Sequence, residues 1–396
     1  AQKERYDYYT SMHTLWVQNS IQPISRWCAD HGIAWTGHYL EHQWPLACGP
    51  HALPSPSVQS HYEYHQWPAI DMLLSSILRE EEINTLMLTI QEVRSAANQF
   101  RKERTLCELY GAGGWDSTFE DYKRLSDWVM VNGINFINQH LTYSTIAGAR
   151  KRDHPQSFDW REPWWDEYTQ LNDYIGRTSY LLSQGVMRQR ILLLNPSTTG
   201  YLIPYEEEDG FIFADGRLEA MRNPNMTLFL KTLQQLTDQQ WDYDLGDEYT
   251  LERHGAVKGD RLAVGAQCYD VVIISGDMKN MRGATAQLLR RLLEAGGRVV
   301  ACGEPGPYID GLEKPEVYAA LAEGWRREDT PERLHAALLG LLDTRITSSA
   351  PWVTGVTHMR RELEDGRALY FFVNHHRGSF EPTLSVPGRS LSQWNL

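Results

Sequence analysis

Cysteine is scarce in this chain of 396 residues, and positive charge is outnumbered. The five cysteines, Cys28, Cys48, Cys107, Cys268 and Cys302, lie far apart and never form a CxxC pair. That spacing argues against a disulfide framework and a zinc ribbon, and leaves buried free thiols as the plain reading. Lysine and arginine number 38 against 51 aspartates and glutamates, a net charge of −13. An acidic surface repels phosphate backbones and anionic headgroups, which disfavours nucleic acids and membranes as partners. No apolar run approaches the roughly 18 residues that span a bilayer. The opening AQKERYDYY has no initiator Met and no apolar signal core, so a processed chain or an excerpt of a longer one is expected. The stretch GAGG at 111–114 lacks the Lys-Ser/Thr of a phosphate loop and the GxGxxG spacing, which argues against nucleotide binding. Repeats, heptads and low-complexity tracts are absent.

What remains is ordinary globular composition, 42% hydrophobic and 22% charged, which excludes a mainly disordered chain. At roughly 150 residues per domain, the length implies two or three domains. Aromatics concentrate early: ten of the fourteen Trp and nine of the fourteen His fall in the first 165 residues. Most such Trp are core, but the same density beside charged residues suits a cleft that stacks flat rings on sugar faces.

The first part alternates strands and helices. IAWTGHYLE (33–41), TLCEL (105–109) and INFINQHL (134–141) read as strands. Ile83, Leu86, Met87, Ile90, Val93, Ala97 and Phe100 share one helical face, and a second helix opens at Ser117 with Glu120 as its capping-box partner. A third starts near Pro163. This alternation predicts parallel βαβ units. From Arg190 the strands become continuous apolar runs, RILLLNP, YDVVIIS and RVVACG, as in a sheet covered on both faces. With helices over 283–297 and from Thr330-Pro331, this block reads as a doubly wound, flavodoxin-like domain. After 345 the two-residue alternation of RALYFFVNHH predicts an antiparallel sheet.

Two glutamates occupy matching places. Glu41 follows the first strand and Glu108 lies near the end of the second. Parallel α/β barrels project catalytic groups from the carboxyl ends of strands, so two carboxylates can meet at one point. A carboxyl pair straddling a bond is the equipment of glycoside hydrolysis, one group donating a proton to the leaving oxygen and the other activating water or attacking the sugar. His38, His42 and Trp44 surround Glu41; Tyr110 and Trp115 follow Glu108; Asn138, His140 and Tyr143 close the third strand. These eight are the expected substrate contacts. If the Trp44 surface dominates around Glu41, desolvation favours its protonated form, making Glu41 the donor and Glu108 the base. Cys302 in VVACGEPG faintly resembles a nucleophile elbow, but no partner His motif follows and a buried thiol is the default. The RKR at 150–152 either grips a carboxylated substrate or is a solvated loop.

The blocks TGHYLEH, SAANQFRKERTLCELYGAGGW, TFEDYKRLSDWVMVNGINFINQHLTYS and RKRDHP…PWW resemble the catalytic barrel of glycoside hydrolase family 106, the α-L-rhamnosidases. The resemblance covers about residues 5–190. It implies an α/β chain with the C-terminal part of a (β/α)8 TIM-type barrel over 1–189, a flavodoxin-like domain over 190–343 of the kind that follows the barrel in family 42 β-galactosidases, and the start of a β-sandwich-like domain over 344–396. It implies an inverting acid/base pair at Glu41 and Glu108, assistance by Ca2+, a carbohydrate substrate, the remainder of a larger polypeptide, and a secreted or periplasmic bacterial setting. No calcium ligand matches residue by residue; Glu63, Asp71 and Asp116 are oxygen ligands of the right hard type. The competing readings are another exo-glycosidase of the β-galactosidase type, a non-catalytic carbohydrate-binding or assembly fragment, and a flavin-binding electron carrier.

Overall fold

The structure is a computed structural model that describes residues 2–39, 58–72, 83–202, 227–343, 346–375, 378–388 and 390–394. It is a mixed α/β chain built on two parallel sheets. Glu41, His42, Trp44 and Cys48 lie outside the described residues, as does the acidic run 206–209.

Helix α1 (Gln2–Trp16) runs through a single π turn (Val17–Ile21) into α2 (Gln22–Asp30). Then come β1 (Thr36–Gly37), the one-turn α3 (Gln59–Tyr62), β2 (Trp67–Met72), α4 (Ile83–Phe100), β3 (Leu106–Leu109), α5 (Phe119–Val131), β4 (Phe136–Gln139) and α6 (Tyr168–Ser183). The strands form one parallel sheet in the order β1-β2-β3-β4, with Asp71, Glu108 and Asn138 in register across it. The expected first strand is much shorter than 33–41, and α5 starts one residue later than predicted. Its cap is Thr118, whose hydroxyl accepts from the Asp121 amide while Asp121 reaches back to the Thr118 amide. Ser117 instead donates its hydroxyl to the Gly113 carbonyl.

The second sheet is β5 (Ile191–Leu194), β6 (Tyr243–Gly246), β10 (Val271–Ser275), β11 (Arg298–Cys302) and β12 (Arg326–Glu328). All four pairings are parallel, in the order β6-β5-β10-β11-β12, so the chain changes direction between β5 and β10. Between β6 and β10 lie α8 (Glu248–His254) and an antiparallel trio, β7 (Gly255–Lys258), β8 (Arg261–Val264) and β9 (Gln267–Tyr269). Its helices are α7 (Thr227–Asp238), α9 (Gly283–Glu294), α10 (Pro315–Ala322) and α11 (Pro331–Leu341). Every residue of β5 and β10 is buried, which explains their unbroken apolar runs. An antiparallel hairpin, β13 (Val356–Glu362) with β14 (Ala368–Asn374), follows.

Helix α4 ties the two sheets together. Residues 87–97 are all buried, polar ones included. The reason lies at the outer edge of β6, whose backbone groups would otherwise be unpaired. Ser95 Oγ accepts from the Leu245 amide at 2.8 Å, Gln99 Nε2 donates to the Leu245 carbonyl at 2.9 Å, and Arg94 donates to the Tyr243 carbonyl at 2.6 Å. A single apolar cluster therefore runs from Ile70, Val93 and Leu109 to Leu193, Val271 and Val300. Leu192, Leu194, Val272 and Ile274 point the other way, onto Leu288 and Leu292 of α9.

Candidate active site

Three of the four strands of the first sheet, β2, β3 and β4, deliver a polar group to the same edge. Asp71, Glu108 and Asn138 are each the residue before last of their strand, at the carboxyl end. Alternation along β3 puts Cys107 and Leu109, both wholly buried, on the core face and Glu108 on the opposite one. His38 follows β1 by one residue and His140 follows β4 by one. The amide of His140 donates to the Leu109 carbonyl at 2.8 Å, which prolongs the β3–β4 pairing and fixes where its ring starts.

These side chains converge on the Glu108 carboxylate. His38 Nε2 lies 3.1 Å from Oε2, and His140 Nε2 lies 3.9 Å from Oε1. The same His38 nitrogen is 3.8 Å from Asp71 Oδ2. The tautomer of His38 sets which group donates in the short contact. Half-buried Glu108 thus faces an imidazole on each oxygen and a second carboxylate beside it. The negative charges of Asp71 and Glu108 add to burial in pushing the Cys107 thiol well up, so this thiol stays protonated behind the site.

A layer behind the site holds the β1 exit in place. The Tyr39 hydroxyl bonds His65 Nε2 at 2.8 Å, and the Trp35 ring lies 4.0 Å from the His65 ring. Burial holds the His65 pKa down at about 3, so the ring is neutral, and its tautomer sets which group donates in the bond to Tyr39. Tyr39 is adjacent to His38, so this bond restrains the imidazole that reaches Glu108.

The other expected contacts divide. Trp115 and Tyr143 form an open rim, with ring centroids 6.4 Å apart. Trp115 Nε1 donates to the Lys151 carbonyl at 2.8 Å, and the Tyr143 hydroxyl donates to the Asp153 carbonyl. Asn138 is exposed and in register with Glu108. Tyr110 is a correction: its backbone at φ 76° turns the ring into the core, where it packs on Tyr122 and Phe158 and its hydroxyl meets Ser126. At 2% exposure it does not face a substrate.

Asp71 emerges as a site residue that the sequence had offered only as one of three loose acidic candidates. AIDM and LCEL each carry one acidic residue flanked by apolar ones, but only the register of the two strands makes Asp71 and Glu108 neighbours. The remaining two candidates are elsewhere. Glu63 is engaged by Arg253 at 2.6 Å and His254 at 3.0 Å, and Asp116 is an exposed loop residue.

His38, Asp71 and Glu108 also form a group able to hold a metal ion, with their ligand atoms all within 4.8 Å of one another. Calcium does not fit this set well. It takes six to eight oxygens, whereas this cluster offers one imidazole nitrogen and two carboxylates, a donor mix suited to transition metals. Among the described residues, no helix is long and apolar enough to cross a membrane.

No family model and no curated protein matches this chain. Solved structures do. The rhamnosidase from Novosphingobium sp. PP1Y is similar with a TM-score of 0.59 and 17% identity, covering 89% of this chain and 32% of that one. Gan42B, a GH42 β-galactosidase, is similar with a TM-score of 0.55 and 9% identity, covering 92% of this chain and 61% of that one. A catalytic mutant of Gan42B from G. stearothermophilus gives 0.51 and 8%, over 84% of this chain and 57% of that one. The chain thus spans less than two thirds of each of these proteins. Its structural neighbours are glycoside hydrolases, and it shares their fold.

Proposed function

We propose that this chain is part of a glycoside hydrolase that removes a terminal sugar by acid/base catalysis, with α-L-rhamnose as the first candidate sugar. The first sheet is read as a portion of a (β/α)8 barrel over 1–189. The second is read as a flavodoxin-like domain over 190–343, without catalytic groups, and the hairpin as the beginning of a β-sandwich-like domain. The observation that carries the proposal is the Glu108 carboxylate at the carboxyl edge of a parallel sheet, with His38 3.1 Å from one oxygen and His140 3.9 Å from the other. An imidazole that presents an N–H to this carboxyl favours the carboxylate, the form a general base uses. Glu108 is accordingly the base, and Glu41, three residues beyond His38 in sequence, the proton donor.

In this mechanism, Trp115 and Tyr143 line the entry, where an aromatic face meets the C–H face of a sugar. His38 and Asn138 hold the substrate or water against Glu108. No step is routed through calcium, since the donor set does not suit it. The test is hydrolysis of aryl α-L-rhamnosides and aryl β-D-galactosides by the intact protein. Release from the rhamnoside supports the reading in full. Release only from the galactoside moves it to the β-galactosidase type, and turnover of neither removes the enzymatic reading.

A further inference from the structure

Three consecutive cations, Arg150, Lys151 and Arg152, stand exposed on the short 3-10 turn Gly148–Arg152 that follows β4. The protein around them is acidic, with a net charge of −13. Arg161, Arg190, Arg253 and Arg282 are each held by a carboxylate. The three cations of the turn have no ion-pair partner among the described residues; the Arg150 side chain donates to the nearby Ala147 carbonyl, at 3.3 Å. Like charges so close repel, and an anion arriving from outside relieves that repulsion.

The turn is clamped to the candidate active site rather than hanging free. Trp115, seven residues beyond Glu108, holds the Lys151 carbonyl at 2.8 Å, and the Gly114 amide holds the Pro155 carbonyl at 3.0 Å. His154, two residues past Arg152, lies with its ring 5.6 Å from that of His140, which itself reaches toward Glu108. Trp115 is 41% exposed and its indole is tied to the backbone of the turn, so an aromatic surface and three exposed cations stand side by side. A flat ring selects a pyranose face, and a guanidinium fork matches a carboxylate.

We propose that this turn and Trp115 form a subsite for a uronic acid, a sugar residue carrying a carboxylate, next to the bond presented to Glu108. The proposal rests on the carbohydrate reading of the site and names its substrate class. Titration calorimetry of the intact protein at low ionic strength tests it, with trigalacturonic acid, its methyl ester and hexaglutamate as probes. The acid binds about tenfold more tightly than the ester, an advantage that three exposed ion pairs supply. In R150Q/K151Q/R152Q that ratio falls to near one, while Trp115→Ala weakens acid and ester alike. Equal affinity of wild type for acid and ester overturns the subsite, as does hexaglutamate binding as tightly as the acid. Absence of binding by all three probes overturns it too. Failure of the glycosidase reading is seen separately: acid-selective binding by a protein that hydrolyses no aryl glycoside leaves the subsite standing and removes the enzyme.

Discussion

Asp244 sits where the two sheets meet, and its titration measures how that joint behaves. It lies on β6, wholly buried. Asn98 of α4 donates to Oδ1 at 2.9 Å, and the Tyr269 hydroxyl donates to Oδ2 at 2.9 Å. Burial outweighs the pull of Arg94 and these two bonds, and pushes the carboxyl from 3.8 up to about 7. The native group therefore keeps its proton to about pH 7, whereas the unfolded one loses it near its ordinary value. As pH rises, the unfolded state ionises first and gains on the native state. Stability drains between roughly pH 4 and 7, and the whole cost is in place above 7. At about 1.36 kcal/mol per pH unit, the rise from 3.8 to about 7 is on the order of 4 kcal/mol. Asp244→Asn removes the titration at nearly constant shape. Below about pH 3.8 the wild-type carboxyl is protonated in the native and unfolded states alike, so the pH-dependent cost disappears. By pH 7.5 the variant is more stable by a few kcal/mol. Denaturant unfolding of both proteins from pH 4.5 to 7.5 gives the difference directly. A difference constant with pH, or a variant that weakens as pH rises, refutes the dominance of burial over Arg94.

Further outcomes follow from the same geometry. His38→Ala lowers kcat on aryl glycosides roughly 10- to 100-fold, as misplacing a reacting group does, and leaves the melting temperature unchanged. Partial rescue by His38→Gln separates positioning from fold damage. Gly265 has φ 55°, and a Cβ there stands 2.3 Å from the Gln99 carbonyl oxygen. Gly265→Ala therefore costs on the order of 1–3 kcal/mol in chemical denaturation, and an unchanged midpoint contradicts the close approach of the β8–β9 turn to α4. Burial pushes the Cys302 thiol up to about 11 and Cys107 well up, while Cys268 is partly exposed. Iodoacetamide at pH 8 with peptide mapping labels Cys268 ahead of both, and equal labelling of Cys302 contradicts its burial.

The parts of the fold legible in the sequence are those that local pattern controls. β5, β10 and β11 announce themselves as apolar runs because both faces of their sheet are covered, and α4, α9 and α11 by their helical spacing. β2 was invisible because WPAIDM is short and opens on a Trp-Pro pair. β6 was missed because YDLG carries a buried Asp and a Gly and depends on α4 to satisfy its edge. Glu108 was legible from its strand-end context. Asp71 was not, because its place beside Glu108 is a matter of register between strands 37 residues apart in sequence (108 − 71), which local spacing does not report. Tyr110 misled for the opposite reason: its neighbours in sequence suggested a cleft, and one positive φ sent the ring into the core.

Leaving-group dependence tests whether Glu108 is the base of a glycoside hydrolase. Glu108→Gln is compared with wild type in the intact protein, on aryl glycosides with activated and with poor leaving groups. Loss of a general base slows both substrates alike, by roughly 10²- to 10⁴-fold. That parallel loss is expected of Glu108→Gln, and for Glu41→Gln a loss concentrated on the poor leaving group, because activated phenols depart without a proton. Glu108→Gln showing the leaving-group dependence reverses the two roles. Full activity of Glu108→Gln on both substrates contradicts the assignment.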